Sequence, residues 1–171
     1  MALVGLIVAA PYRMARFTAF IHPEADLQGT GYQIQQALIA IGSGGIFGVG
    51  LGHSMQKGLY LPEPVGDSIY AIIAEELGVL GTIGIVILFV LFAWRGLKIA
   101  ANAPDIFGKL VAGGITIWII GQAIMNIAAI IALMPLTGIP LPFISYGGTS
   151  IVFTLVSVGI LLNISKQTQI S

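Results

Sequence analysis

Residues 110–165 read LVAGGITIWIIGQAIMNIAAIIALMPLTGIPLPFISYGGTSIVFTLVSVGILLNIS, 56 positions without one charged side chain. A helix needs about 20 apolar residues to cross the hydrocarbon of a bilayer. This stretch is too long for one span and suits two with a turn between them. Pro135, Gly138, Pro140, Pro142, Gly147 and Gly148 place the turn, because proline lacks an N–H and glycine weakens a helix. The pattern predicts helices at about 110–134 and 149–165, joined by a loop at 135–148.

The rest of the chain agrees. Of its 171 residues 57% are hydrophobic and 8% charged, against about 25% charged in soluble domains. Leu77 to Trp94 is a further uncharged run of 18 residues between Glu76 and Arg95 and predicts another span. Residues 27–52 are uncharged too, but hold four Gln and eight Gly, and predict a weaker crossing that is tilted, broken or packed inside the protein. Residues 1–12 are too short to span and are read as the tail of a helix that begins before this chain. The expected fold is an all-α, polytopic transmembrane bundle. The formal net charge of zero gives no basis for nucleic-acid binding. The lack of cysteine excludes disulfides, thiolate metal sites and cysteine nucleophiles.

Lys and Arg residues orient such a bundle, since cytoplasmic loops carry the excess. Arg13 with Arg16, Arg95 with Lys98 and Lys109, and Lys166 at the tail are expected on the cytoplasmic side. That alternation requires 27–52 to cross once. Loops 53–76 and 135–148 then share the outer side.

Four of the seven carboxylates, Glu63, Asp67, Glu75 and Glu76, fall in YLPEPVGDSIYAIIAEELG at 60–78. Charge near a bilayer is costly, so such a cluster marks a loop in water or a polar site that function requires. Pro62 and Pro64 hold Glu63 in extended backbone. Asp67 stands where a helix could begin. It reads either as an N-cap or as a general base at the water–lipid boundary. Glu75 and Glu76 lie about 12 Å further along a helix axis, at 1.5 Å per residue, and are expected to be structural. Lys57 could meet a phosphate as a point charge, or simply solvent or headgroups. Hard cations prefer oxygen ligands, so a divalent cation, Mg²⁺ or Mn²⁺, could gather some of these acids. Gly44, Gly45, Gly48, Gly50 and Gly52 loosely suggest a phosphate loop. No strand precedes them and no GK[ST] follows, so close packing or a re-entrant segment is the better expectation. In 134–150, Thr137, Ser145, Tyr146 and Thr149 offer hydroxyls to a ligand, or belong to a rigid connector. Gln122 and Asn126 form a polar stripe of the kind that joins helices.

Taken together, YRMARF at 12–17, GYQIQQALIAIGSGGIFGVGLGHSMQK at 31–57, YLPEPVGDSIYAIIAEELG at 60–78 and PLTGIPLPFISYGGTS at 135–150 resemble the SEDS family of bacterial wall synthesis (shape, elongation, division and sporulation). The resemblance covers nearly the whole chain, and its wording is closer to the division-type FtsW members than to RodA. It implies the C-terminal half of a ten-span peptidoglycan glycosyltransferase of the bacterial cytoplasmic membrane, with its C-terminus cytoplasmic. Such an enzyme polymerises lipid II (undecaprenyl-pyrophosphate-linked disaccharide-pentapeptide) on the outer face beside a class B penicillin-binding transpeptidase. It also implies that Asp67 is catalytic, although the family's Thr-Asp-Phe-Ile-Phe string is here Gly66-Asp67-Ser68-Ile69-Tyr70. Lys57, Glu63, Ser145 and Tyr146 are the expected substrate-binding residues. A lipid-precursor flippase and a non-catalytic division scaffold are the competing functions. A flippase would want charge inside the membrane, and 77–94 and 110–165 hold none.

Overall fold

The computed structural model describes residues 16, 18, 20, 21, 29–54 and 66–167. Among the described residues four helices are complete and follow one another: α1 (Thr30–Gly44), α2 (Ile69–Asn102), α3 (Ile106–Ile130) and α4 (Gly148–Gln167). Three of them, α2, α3 and α4, are long and apolar enough to cross a membrane. The fold is a helical membrane bundle, with no strand among the described residues.

The spans lie where the uncharged runs put them, but their ends move. α2 begins at Ile69 and runs through Glu75 and Glu76 to Asn102, well past both ends of 77–94. Charge bounded the apolar run without stopping the helix. α3 starts at Ile106, four residues before the expected 110, because Asp105 caps it by accepting from the Gly108 amide at 2.8 Å. It ends at Ile130 rather than 134. There Ala132 turns left-handed (φ 56°), and the Ala132 and Leu133 amides return to the Ala129 and Ala128 carbonyls. This is a Schellman closure with alanine in the position usually held by glycine. α4 differs from the expected 149–165 only at its ends.

Segment 27–52 is not a crossing. α1 has 15 residues, about 22 Å of helix at 1.5 Å per residue against roughly 30 Å of hydrocarbon. After α1 the chain turns back onto α2 at a break in that helix. Gly78 sits at φ 67°, ψ −164°. The usual bonds from Val79 to Glu75 and from Leu80 to Glu76 are exchanged for bonds to the glycine-rich segment. The Glu75 and Glu76 carbonyls accept from Val49 and Gly50 at 2.9 and 3.0 Å, while the Val79 and Leu80 amides donate to Gly45 and Ile46 at 3.0 and 3.4 Å. Broken backbone at membrane depth survives only where its polar groups are re-satisfied in this way. The glycines are required by contact as well. A Cβ on Gly44 or Gly48 would overlap the Ala74 or Glu76 carbonyl. They make a packed re-entrant joint and no phosphate loop.

The largest buried cluster joins α1 (Ile34, Ala37, Ala40), the start of α2 (Tyr70, Ala71), the end of α3 (Ala129, Ile130) and the 131–147 loop (Leu136, Leu141). A much smaller one, Ile99, Ala112 and Leu161, lies toward the other end. The outer surfaces of the spans are hydrocarbon, as lipid-facing helices require.

Candidate functional site

Asp67 lies just before α2, at the end of the bundle where the large cluster sits. The residue at the helix boundary is Ser68, so the N-cap reading of Asp67 loses its position. Ser68 is fully buried, and its hydroxyl accepts from Gln33 Nε2 of α1 at 3.0 Å. The Asp67 carbonyl accepts from Asn126 Nδ2 of α3 at 2.9 Å, and the same nitrogen donates to the Ile139 carbonyl at 2.8 Å. Asp67 and the 135–148 loop are therefore tied together at one end of the bundle.

The wall facing the Asp67 carboxylate is Gly138. A Cβ there would stand 3.4 Å from Asp67 Oδ2 and 3.8 Å from both terminal nitrogens of Arg16, and φ is 70°. Glycine adopts that backbone shape without strain, and a Cβ there would rest in ordinary contact with both groups. Arg16 also donates from Nη1 to the Leu136 carbonyl at 2.9 Å. A carboxylate and a guanidinium of opposite charge thus converge on the 136–139 turn.

Arg16 corrects the expected topology. It stands at the Asp67 end, opposite the turn that carries Arg95, Lys98 and Lys109, and not beside them. The reason is the short α1. Since 27–52 does not cross, the segment before it stays at the same end as the segment after it. In the sequence Arg16 is a cation that orients the bundle, and nothing in the YRMARF string shows what its guanidinium touches.

The expected substrate residues divide. Ser145 is 2% exposed, and its hydroxyl accepts from the Leu141 amide at 2.7 Å, closing its own turn. It is a structural residue of the loop, and the ligand role expected for it is not supported. Tyr146, the next residue, is 80% exposed and projects from the bundle. Lys57 and Glu63 lie outside the described residues. Glu75 is buried and accepts from the Ser54 hydroxyl, which agrees with a structural role. Glu76 leaves Oε1 buried without a partner beside the joint. Asn126, expected to join helices, instead joins two loops. Among the described residues no three acids or histidines come together to hold a metal ion. Among the described residues, the charged group that shares the 136–138 turn with Asp67 is the Arg16 guanidinium.

The sequence pattern of the FtsW, RodA and SpoVE cell cycle proteins matches residues 1–170. The chain belongs to this family. It is 50% identical over 166 residues to stage V sporulation protein E of Bacillus subtilis, covering 97% of this chain and 45% of that protein. It is 46% identical to a probable peptidoglycan glycosyltransferase FtsW of Thioalkalivibrio, covering 94% of this chain and 41% of that one. The chain spans somewhat less than half the length of the curated relatives it matches. Among solved structures it superposes with a TM-score of 0.71 on a chain of a peptidoglycan synthase complex described as coordinating polymerization and crosslinking, at 25% identity, over 98% of this chain and 49% of the other. The rod shape determining protein RodA of Thermus thermophilus, solved as an Asp-to-Ala mutant, gives a TM-score of 0.60 at 29% identity, over 79% of this chain and 41% of the other.

Proposed function

We propose that this chain carries the catalytic end of a peptidoglycan glycosyltransferase that polymerises lipid II in bacterial cell-wall synthesis. The observation that carries the reading is the convergence of Asp67, Arg16 and the 136–139 turn at one end of three membrane spans. The basic residues Arg95, Lys98, Lys109 and Lys166 stand at the other end. By the positive-inside rule that end and the C-terminus are cytoplasmic, in the bacterial inner membrane, and Asp67 faces out.

The chemistry follows from the groups present. A hydroxyl oxygen of the acceptor sugar attacks the anomeric carbon of the donor, and that C–O bond forms. The bond from the anomeric carbon to the pyrophosphate oxygen breaks, and undecaprenyl pyrophosphate leaves with the electron pair. Asp67 takes the hydroxyl proton. Arg16 brings a positive charge to the same turn as the carboxylate that receives the proton. Lys57 supplies a cation for the leaving pyrophosphate, as charge clamps do at developing anions. Tyr146 offers an exposed aromatic ring at the water–lipid boundary, where amphipathic rings settle and where the substrate's headgroup must lie. A class B penicillin-binding transpeptidase as partner is supported by the matching chain of a polymerising and crosslinking complex.

The test is lipid II polymerisation by the full-length protein with its transpeptidase partner, wild type against Asp67→Asn at equal expression. Removing a general base costs about 10²- to 10⁴-fold, so glycan product should fall at least a hundredfold with folding and partner binding intact. Retained polymerisation would remove Asp67 as the base and reopen the flippase and scaffold readings.

A further inference from the structure

We infer that Asn126 is the positioning residue for Asp67, an inference that rests on Asp67 being the base. Asn126 is 2% exposed, near the end of a transmembrane helix. A buried amide there ordinarily bonds across to a neighbouring helix. Here Nδ2 gives its bonds to two loop carbonyls, Asp67 and Ile139, 59 and 13 residues away in sequence. Oδ1 is buried with no partner, so the side chain is placed for what its nitrogen does.

The two bonds set one distance. The first fixes the peptide plane that leaves Asp67, and with it the direction of the carboxylate. The next residue, Ser68, is held by Gln33, so the backbone after the base is clamped from α1 and α3 together. The second bond fixes Ile139, beside the Gly138 wall that the carboxylate faces. One amide therefore sets both the base and the surface against which the base is held. A displacement of about 1 Å at a reacting group can cost on the order of 100-fold in rate. Loss of this joint should appear in turnover, while substrate affinity, which depends on groups elsewhere, should hold.

The experiment uses the full-length protein with its transpeptidase partner and lipid II, comparing wild type, Asn126→Ala, Asn126→Gln, Gln122→Ala and Asp67→Asn. Asn126→Ala should lower kcat about 10- to 100-fold per folded molecule with KM within about twofold. Asn126→Gln keeps the amide but misplaces it by one methylene, and should fold with a smaller loss of kcat. Gln122→Ala, one turn away on the same stripe, should leave kcat unchanged. Unchanged kcat in either folded Asn126 variant overturns the inference, as does a rise in KM alone. If Asn126→Ala fails to fold, Asn126→Gln decides by the same criteria. If Asp67→Asn stays active, the base assignment fails. If Asp67→Asn is inactive while the Asn126 variants keep full kcat, the positioning role alone fails.

Discussion

The two ends of this bundle are built differently. At the α2–α3 turn the chemistry is that of an ordinary membrane helix pair. Asp105 caps α3, Asn102 returns its amide to the Lys98 carbonyl, and Arg95 and Lys98 lie 5.2 and 5.9 Å from the Trp94 ring. Such groups anchor helices at an interface. At the other end the backbone departs from helix at Gly78, Ala132 and Gly138. Loops are held by side chains from distant parts of the chain, and the large cluster packs beneath. Regular structure suffices for crossing a membrane. Irregular backbone with long-range polar ties is what brings a carboxylate, a guanidinium and a glycine wall to one point.

The sharpest way to break this contrast is Gly78→Ala. A Cβ would fall 2.5 Å from the Gly48 nitrogen and the Ile46 oxygen, both backbone, at a φ and ψ open in practice only to glycine. Strain of this kind costs about 1–3 kcal/mol before the clash is added. The joint should open, releasing the four exchanged backbone bonds. Hydrogen exchange at Val79 and Leu80 in the full-length protein should rise steeply, and lipid II polymerisation should fall with it. Protected amides with wild-type turnover would show that the joint is not needed to hold the Asp67 end together.

Much of this was readable in the sequence because hydrocarbon length is a strong constraint. The uncharged runs located three spans, and Pro and Gly located the loop between the last two. The meeting of the Asp67 segment with 135–148 followed from two crossings alone, so it survived the error about 27–52. That error had a physical source. An uncharged, glycine-rich segment has the composition of a crossing, and its length in helix was hidden until Gly45 broke it. Arg16 then misled, because the positive-inside rule counts a cation without asking whether a carbonyl such as that of Leu136 holds it. The hydroxyl of Ser145 is ambiguous in sequence for a similar reason. A hydroxyl in a Pro/Gly turn bonds its own backbone as readily as a ligand. The pairing of Asn126 with Asp67 and Ile139 depends on tertiary placement that no spacing encodes.

The other end should respond in stability without touching chemistry. Gly96 of α2 lies against Thr116 of α3, whose hydroxyl is turned to the Ala112 carbonyl at 2.7 Å. A Cβ on Gly96 would overlap that hydroxyl. Gly96→Ala must push the helices apart or rotate Thr116, at a cost of about 1–3 kcal/mol for overpacking. Thermal unfolding of the detergent-solubilised protein should show a lower Tm, with kcat per folded molecule unchanged. A fall in kcat would mean that the spacing of α2 and α3 is transmitted to Asp67, and the two ends would then be coupled.

Ala132 offers the smallest and most selective probe, because it lies at the active end but acts through backbone shape alone. At φ 56° an L-residue is strained by about 1–2 kcal/mol, which glycine avoids. Glycine in turn adds freedom to the unfolded chain, costing about 0.4–1 kcal/mol. The difference favours Ala132→Gly by roughly 0.5–1 kcal/mol. A small rise in Tm is therefore expected from a substitution that removes a methyl group packed against the core. A fall would mean that the contact made by the methyl outweighs the strain, and that the Schellman closure is held by packing more than by backbone preference. Either sign separates the two forces that end α3 four residues earlier than its hydrophobicity suggests.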